Sequence, residues 1–146
     1  RGLRKDLFFY MFLELLLSLT PLDYTYLAKV IRVEAVRNTF DEYCVAASVL
    51  NRVNSKVFPN SVYEVVHAKS SRGQHQYQGF DSKYPKTDWV LVKKLNSIEG
   101  RKNILKAYSI IGNRTDFKGQ SMLRHRVPSE DPMCSSNGNF YHYHWQ

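Results

Sequence analysis

Glu34 is the residue of this chain best placed for proton-transfer chemistry. It lies within Thr20–Val53, TPLDYTYLAKVIRVEAVRNTFDEYCVAASVLNRV, near the junction of two helical patterns. An acid about one turn from the C-terminal end of the first helix feels the negative end of the helix dipole, and partial burial beside apolar neighbours disfavours its ionised form further. Both effects raise its pKa, as a general acid requires. Asp41 and Glu42 are the acids nearest in sequence, and both read as first-turn residues of the second helix. Gln76, Tyr77 and Gln78 combine amide and aromatic groups that hydrogen-bond sugar hydroxyls or acetamides and stack on a ring face. Tyr141 and Tyr143, near the C-terminus, are further candidates for orienting a substrate or Glu34. His142 and His144 stand at strand spacing but lack a third ligand, and His75 and His125 lie far away along the chain. No metal and no cofactor is therefore expected.

The elements that must hold these residues are well punctuated. Thr20 reads as an N-cap, Pro21 as the first helical residue and Asp23 as a first-turn acid. Leu27, Val30, Ile31 and Val33 form an apolar stripe, and Asn38 with Thr39 breaks the run. Thr39-Phe40-Asp41-Glu42 has the form of a capping box for the second helix. The small apolar residues after it, with Ala46, Ala47 and Ser48 permitting close approach, predict a helix central to the core. Pro59 interrupts the chain, and Ser61 with Glu64 predicts a second capping box for a short helix through about His67. Residues 69–85 are polar and turn-rich, with an ordered turn or short hairpin expected at Gln76–Phe80.

Thr87 or Asp88 caps a helix over Trp89–Leu95, and another is predicted over about Arg101–Ile111, closed by Gly112. Leu91, Leu95, Ile104, Leu105, Tyr108 and Ile111 are core candidates. From Asn113 onward the pattern is irregular, except for alternating aromatics at Phe140–Trp145 that read as a short strand. The expected fold is mainly α (α+β).

The chain has 146 residues, 43% of them apolar, enough for one domain with a real core. Its net charge of +8 implies an anionic partner. No Lys/Arg block or RNA-binding signature selects nucleic acid. Cys44 and Cys134 make neither a disulfide framework nor a metal motif, and Cys44 reads as a small buried hydrophobe. Leu7–Leu19 is strongly apolar, but at 13 residues with Glu14 inside it falls short of the roughly 20 that a spanning helix needs. With no A-x-A-like cleavage site after it, it reads as a retained helix that packs on the core, docks or self-associates, rather than a signal peptide. Residues 1–19 are thus read as an apolar N-terminal helix or docking segment, and 20–146 as the domain that carries the candidate catalytic Glu34.

Val33-Glu34-Ala35, then VAASVLNRV at Val45–Val53 and FPNSVYEVVHA at Phe58–Ala68, resemble the SleB-type cell-wall hydrolases. Gln76-Tyr77-Gln78 resembles that family's Q-F-S turn, and the similarity extends to Gly138-Asn139 and the Phe140–Tyr143 aromatics. The resemblance implies a lysozyme-like single domain that cleaves bacterial peptidoglycan, with Glu34 matching the catalytic acid. Where the family continues R-G-E, this chain has Val36-Arg37-Asn38, and a second carboxylate is missing from its usual place. The tail from Arg124 onward looks more like phage-encoded relatives.

One matched acid favours a lytic transglycosylase over a hydrolytic muramidase, since the hydrolytic scheme uses two carboxylates. Action on the bacterial wall, in the periplasm or outside the cell, follows from the resemblance, either as a host-lysis enzyme or carried in a virion. A non-catalytic wall-binding or virion structural module is the alternative from another class, and a nucleic-acid module rests on charge alone.

Overall fold

A computed structural model describes residues 2–69, 71–73, 76–77, 86–118, 131–135 and 138–143. Among them run seven helices and two short strands: α1 Gly2–Ser18, α2 Pro21–Glu34, α3 Asp41–Val53, α4 Val62–His67, α5 Trp89–Leu95, α6 Ile98–Ile111, β1 Asp116–Lys118, α7 Pro132–Ser135 and β2 Phe140–His142. The protein is mainly helical with one small antiparallel sheet.

The small-residue helix is the centre of the molecule. Every residue of α3 is buried, and α1, α2, α4, α6 and α7 all pack against it. Phe12 and Leu16 of α1 are fully buried in this same core, where the Phe12 ring stacks on Tyr108 at 4.3 Å. Leu7, Tyr10 and Leu17 on the outer side of α1 stay exposed. No single helix among the described residues is long and apolar enough to cross a membrane.

α2 begins as its sequence predicts. The Thr20 hydroxyl accepts from the Asp23 amide at 3.2 Å, and the Asp23 carboxylate accepts from the Thr20 amide at 2.9 Å. Leu27, Val30 and Ile31 are fully buried. The helix stops at Glu34, however, four residues before Asn38; Ala35 is already extended, at φ −124° and ψ 149°. Asn38 instead supplies the turn beyond, in the left-handed conformation at φ 60°.

The expected capping box at Thr39–Glu42 does not form. Phe40 occupies the cap position with helical backbone angles and no side-chain cap, while the Thr39 hydroxyl donates to the Val36 carbonyl at 2.8 Å. Glu42 turns inward, fully buried, to the Arg32 guanidinium of α2 and to Lys94 of α5 at 3.4 Å. Two cations compensate a buried carboxylate better than one exposed amide does.

The other helix starts follow local rules. Ser61 accepts from the Glu64 amide at 3.1 Å and donates to its carboxylate at 3.0 Å. Asp88 accepts from the Leu91 amide at 3.0 Å. α6 begins at Ile98 rather than about Arg101, because Ser97 caps it by accepting from the Gly100 amide at 3.0 Å. Gly100 is no helix breaker here but a packing requirement: a Cβ at that position would lie 2.0 Å from the Lys94 carbonyl oxygen. Gly112, at φ 61°, ends the helix.

Two features overturn the reading of the C-terminal region. Asp116–Lys118 is a strand, and it pairs antiparallel with Phe140–His142 so that Phe117 faces Tyr141 and Asp116 faces His142. Cys44 and Cys134 form a disulfide, with Cα atoms 5.8 Å apart, rather than remaining separate buried thiols. Two cysteines 90 residues apart carry no local sign of pairing; the packing of α7 on α3 brings them together.

Candidate functional site

The end of α2, the start of α3 and β2 meet at one corner. Glu34 is the last residue of α2, part-buried rather than enclosed. The final carbonyls of a helix have no intrahelical partner, and that of Glu34 is taken by Asn139, whose Nδ2 donates to it at 2.8 Å. The second hydrogen of the same amide goes to Oδ2 of Asp41 at 2.7 Å. The Tyr141 hydroxyl donates to the other oxygen, Oδ1, at 2.5 Å. One short strand and the residue before it therefore fasten the end of α2 to the beginning of α3.

Asp41 is fully buried, with both carboxylate oxygens engaged. Burial pushes its pKa up to about 6; the hydrogen bonds from Tyr141 and Asn139 oppose that rise, and the neighbouring Glu42 charge adds to it. Burial likewise holds the Tyr141 phenol well above its ordinary value, with the Asp41 charge next in effect and that of Glu34 after it. Tyr77 is pushed up to about 12 by burial, against the pull of Arg52 and with smaller contributions from Glu34 and Asp116. Both phenols thus lie within the field of Glu34 and both stay protonated, as hydrogen-bond donors, across the physiological range.

Aromatic packing and one arginine brace this corner. Phe117 lies between Tyr77 and Tyr141, with ring centroids 6.2 and 5.4 Å away. The Arg52 guanidinium sits over the Tyr77 ring at 5.0 Å and over Phe58 at 4.7 Å. It donates to the Thr115 carbonyl at 2.8 Å and to Asp116 at 3.3 Å, tying the end of α3 to β1. The Tyr77 hydroxyl, in a residue 1% exposed, has no hydrogen-bond partner among the described residues.

The candidate residues divide into two groups. Tyr77 and Tyr141 come together on either side of Phe117 and both feel the charge of Glu34, although the three span more than a hundred positions of the chain. Gln76 is exposed and holds its turn through a backbone bond to the Ala68 carbonyl at 2.9 Å. Tyr143 lies apart, its ring under the Arg114 guanidinium at 4.7 Å and its phenol near Tyr108. Gln78, His75, His125 and His144 fall outside the described residues, as do Gly79 and Phe80. His142 is fully buried, and no group of three or more metal-ligating side chains occurs among the described residues.

Arg52 joins the site without having been singled out for it, and Asp41 and Asn139 join it in roles that the sequence did not assign them. Asp41 carried a signal, being an acid next to another acid before an apolar run. Asn139 stood within the family resemblance, but its role depends on a contact 105 positions away. No family model matches this chain, and neither does any curated protein or solved structure.

Proposed function

We propose that this protein is a peptidoglycan-cleaving glycosidase, a lytic transglycosylase in which Glu34 serves as both acid and base. The observation that carries this reading is the unequal exposure of the acids around the corner. Asp41 and Glu42 are fully buried and held by Tyr141, Asn139, Arg32 and Lys94, and Asp116 is buried against Arg52. Glu34 alone of this group keeps part of its surface accessible. Hydrolysis by two carboxylates requires a second one open to water or to the sugar, and none of the three offers that. The resemblance to SleB-type hydrolases around Glu34 supports the same assignment, as does the +8 charge toward an anionic wall.

In this scheme protonated Glu34 gives its proton to the glycosidic oxygen between N-acetylmuramic acid and N-acetylglucosamine. The bond from the muramoyl C1 to that oxygen breaks, leaving an oxocarbenium-like centre. The Glu34 carboxylate then takes the proton of the muramoyl C6 hydroxyl, whose oxygen closes on C1 to form the 1,6-anhydro ring. Water is not consumed. Tyr77 acts as a protonated donor beside Glu34, while Tyr141, its proton committed to Asp41, and Asn139 fix the helix end that presents Glu34.

Digestion of purified peptidoglycan by the wild-type protein and by Glu34→Gln, with mass spectrometry of the released fragments, tests the proposal. Anhydro-muramoyl products that vanish in the variant are expected. Reducing-end products would instead make the protein a hydrolytic muramidase. Sedimentation with the wall and no products from folded wild-type protein would reduce it to a wall-binding or virion structural module.

A further inference from the structure

A concave site lies between α1 and the far end of α3, lined by none of Glu34, Asp41, Tyr77 and Tyr141. It encloses about 600 Å³, within the range of pockets that bury small organic ligands. Leu7, Met11 and Tyr108 are among its apolar lining residues, and Asn54 and Asn113 among its polar ones. Arg4 and Lys56 also line it, and neither takes part in an ion pair among the described residues. By contrast, Arg32, Arg52 and Lys94 are all committed to carboxylates.

Each part of the lining has a chemical counterpart. Two cations without protein carboxylates suit a ligand with free carboxylates, the asparagine amides suit peptide N–H and C=O groups, and the apolar residues suit small aliphatic side chains. A nucleic acid would call for a longer run of cations along a groove. We infer that this cavity binds a short peptide with free carboxylates, the stem peptide that hangs from the muramoyl sugars of peptidoglycan. This rests on the reading of the protein as a peptidoglycan-cleaving enzyme, and it adds a subsite for the peptide portion of that substrate.

The spacing agrees with that assignment. Asp41 marks the Glu34 end of α3, while Asn51, ten residues on, lines the cavity; the two ends are about 15 Å apart at the helical rise. A peptide of three to five residues spans roughly 10 to 17 Å when extended. The strand β2 and the residue after it link the same two places, with Tyr141 at the Asp41 corner and Tyr143 among the cavity lining.

Titration calorimetry of the full chain with a sugar-free stem tetrapeptide, and with the same peptide fully amidated at its carboxylates, tests this. Saturable binding of the free peptide is expected, weakened tenfold or more by amidation. Lys56→Glu, at an exposed position that leaves the core untouched, is expected to weaken it at least fivefold, and Met11→Trp, which fills the cavity, to abolish it while circular dichroism shows a folded chain. Glu34→Gln is expected to bind the peptide as the wild type does. Absence of saturable binding, or equal affinity in wild type and Lys56→Glu, overturns the inference, as does displacement of the peptide by a DNA oligonucleotide at equal charge concentration. Wall cleavage without peptide binding rejects the cavity assignment alone. Peptide binding without wall cleavage rejects the enzymatic reading and leaves the cavity as a wall-recognition site.

Discussion

The Tyr141 hydroxyl donates a 2.5 Å hydrogen bond to Oδ1 of Asp41, joining the last described strand to the first turn of the central helix. Both residues are fully buried, so neither can exchange its partner for water. Tyr141→Phe leaves a buried carboxylate oxygen without its donor and is expected to cost about 1–3 kcal/mol. Urea denaturation of the single variants and of the double variant with Asp41→Asn measures it. A coupling energy near zero in that cycle would show that the contact does not stabilise the fold.

Asp41 also makes stability depend on pH in an unusual direction. Its folded pKa of about 6 stands above the ordinary value of 3.8, so between about pH 4 and pH 6 the folded chain keeps a proton that the unfolded chain has lost. Stability from this group therefore falls as pH rises through that window and levels off above it. The whole change is at most about 3 kcal/mol. Denaturation midpoints of wild type and Asp41→Asn from pH 4 to pH 7 should converge toward the acid end once other groups are subtracted; a parallel pair of curves would refute the assignment.

Arg32 joins three elements. It meets Glu42 of α3 on one side and, through Nε at 2.9 Å, Asp88 at the cap of α5 on the other. Arg32→Met leaves the fully buried Glu42 with Lys94 alone, and removal of one partner from a buried pair typically costs about 3–5 kcal/mol. Arg32→Met with Glu42→Leu should recover much of that loss. Chemical denaturation of both reads the difference, and a double variant no more stable than the single one contradicts it.

The disulfide closes a loop of 90 residues. Chain-entropy reasoning gives about 4–5 kcal/mol for a loop of that size. Addition of reductant should lower the denaturation midpoint of the wild type and leave that of Cys44→Ser/Cys134→Ser unchanged. A wild-type midpoint indifferent to reductant would rule out the bond in solution.

Much of the helical frame was legible because it is locally encoded. Thr20 with Pro21 and Asp23, Ser61 with Glu64, Asp88 and Gly112 each mark a boundary through contacts within four residues, and the run of small residues in α3 announced its central place. The misreadings arose where a distant partner prevailed over a local one. Glu42 matched a capping pattern but is drawn to cations on α2 and α5; α6 starts earlier than its apolar pattern, with Gly100 fitting against the Lys94 carbonyl. Glu34 and the aromatic pair Tyr77 and Tyr141 could be named individually. That Asn139 and Asp41 would pin the same corner depends on a strand pairing that no window of sequence displays.

The bond between Cys44 and Cys134 divides the life of the chain into two states. In a reducing cytosol the thiols stay apart, and α7 is held to α3 by packing alone. The segment that follows α7 carries Asn139 and Tyr141, so the corner around Glu34 is then tethered at one end fewer. Where such a chain is made in a reducing compartment, passage into oxidising surroundings completes its assembly, and the same covalent step that finishes the fold also finishes the site.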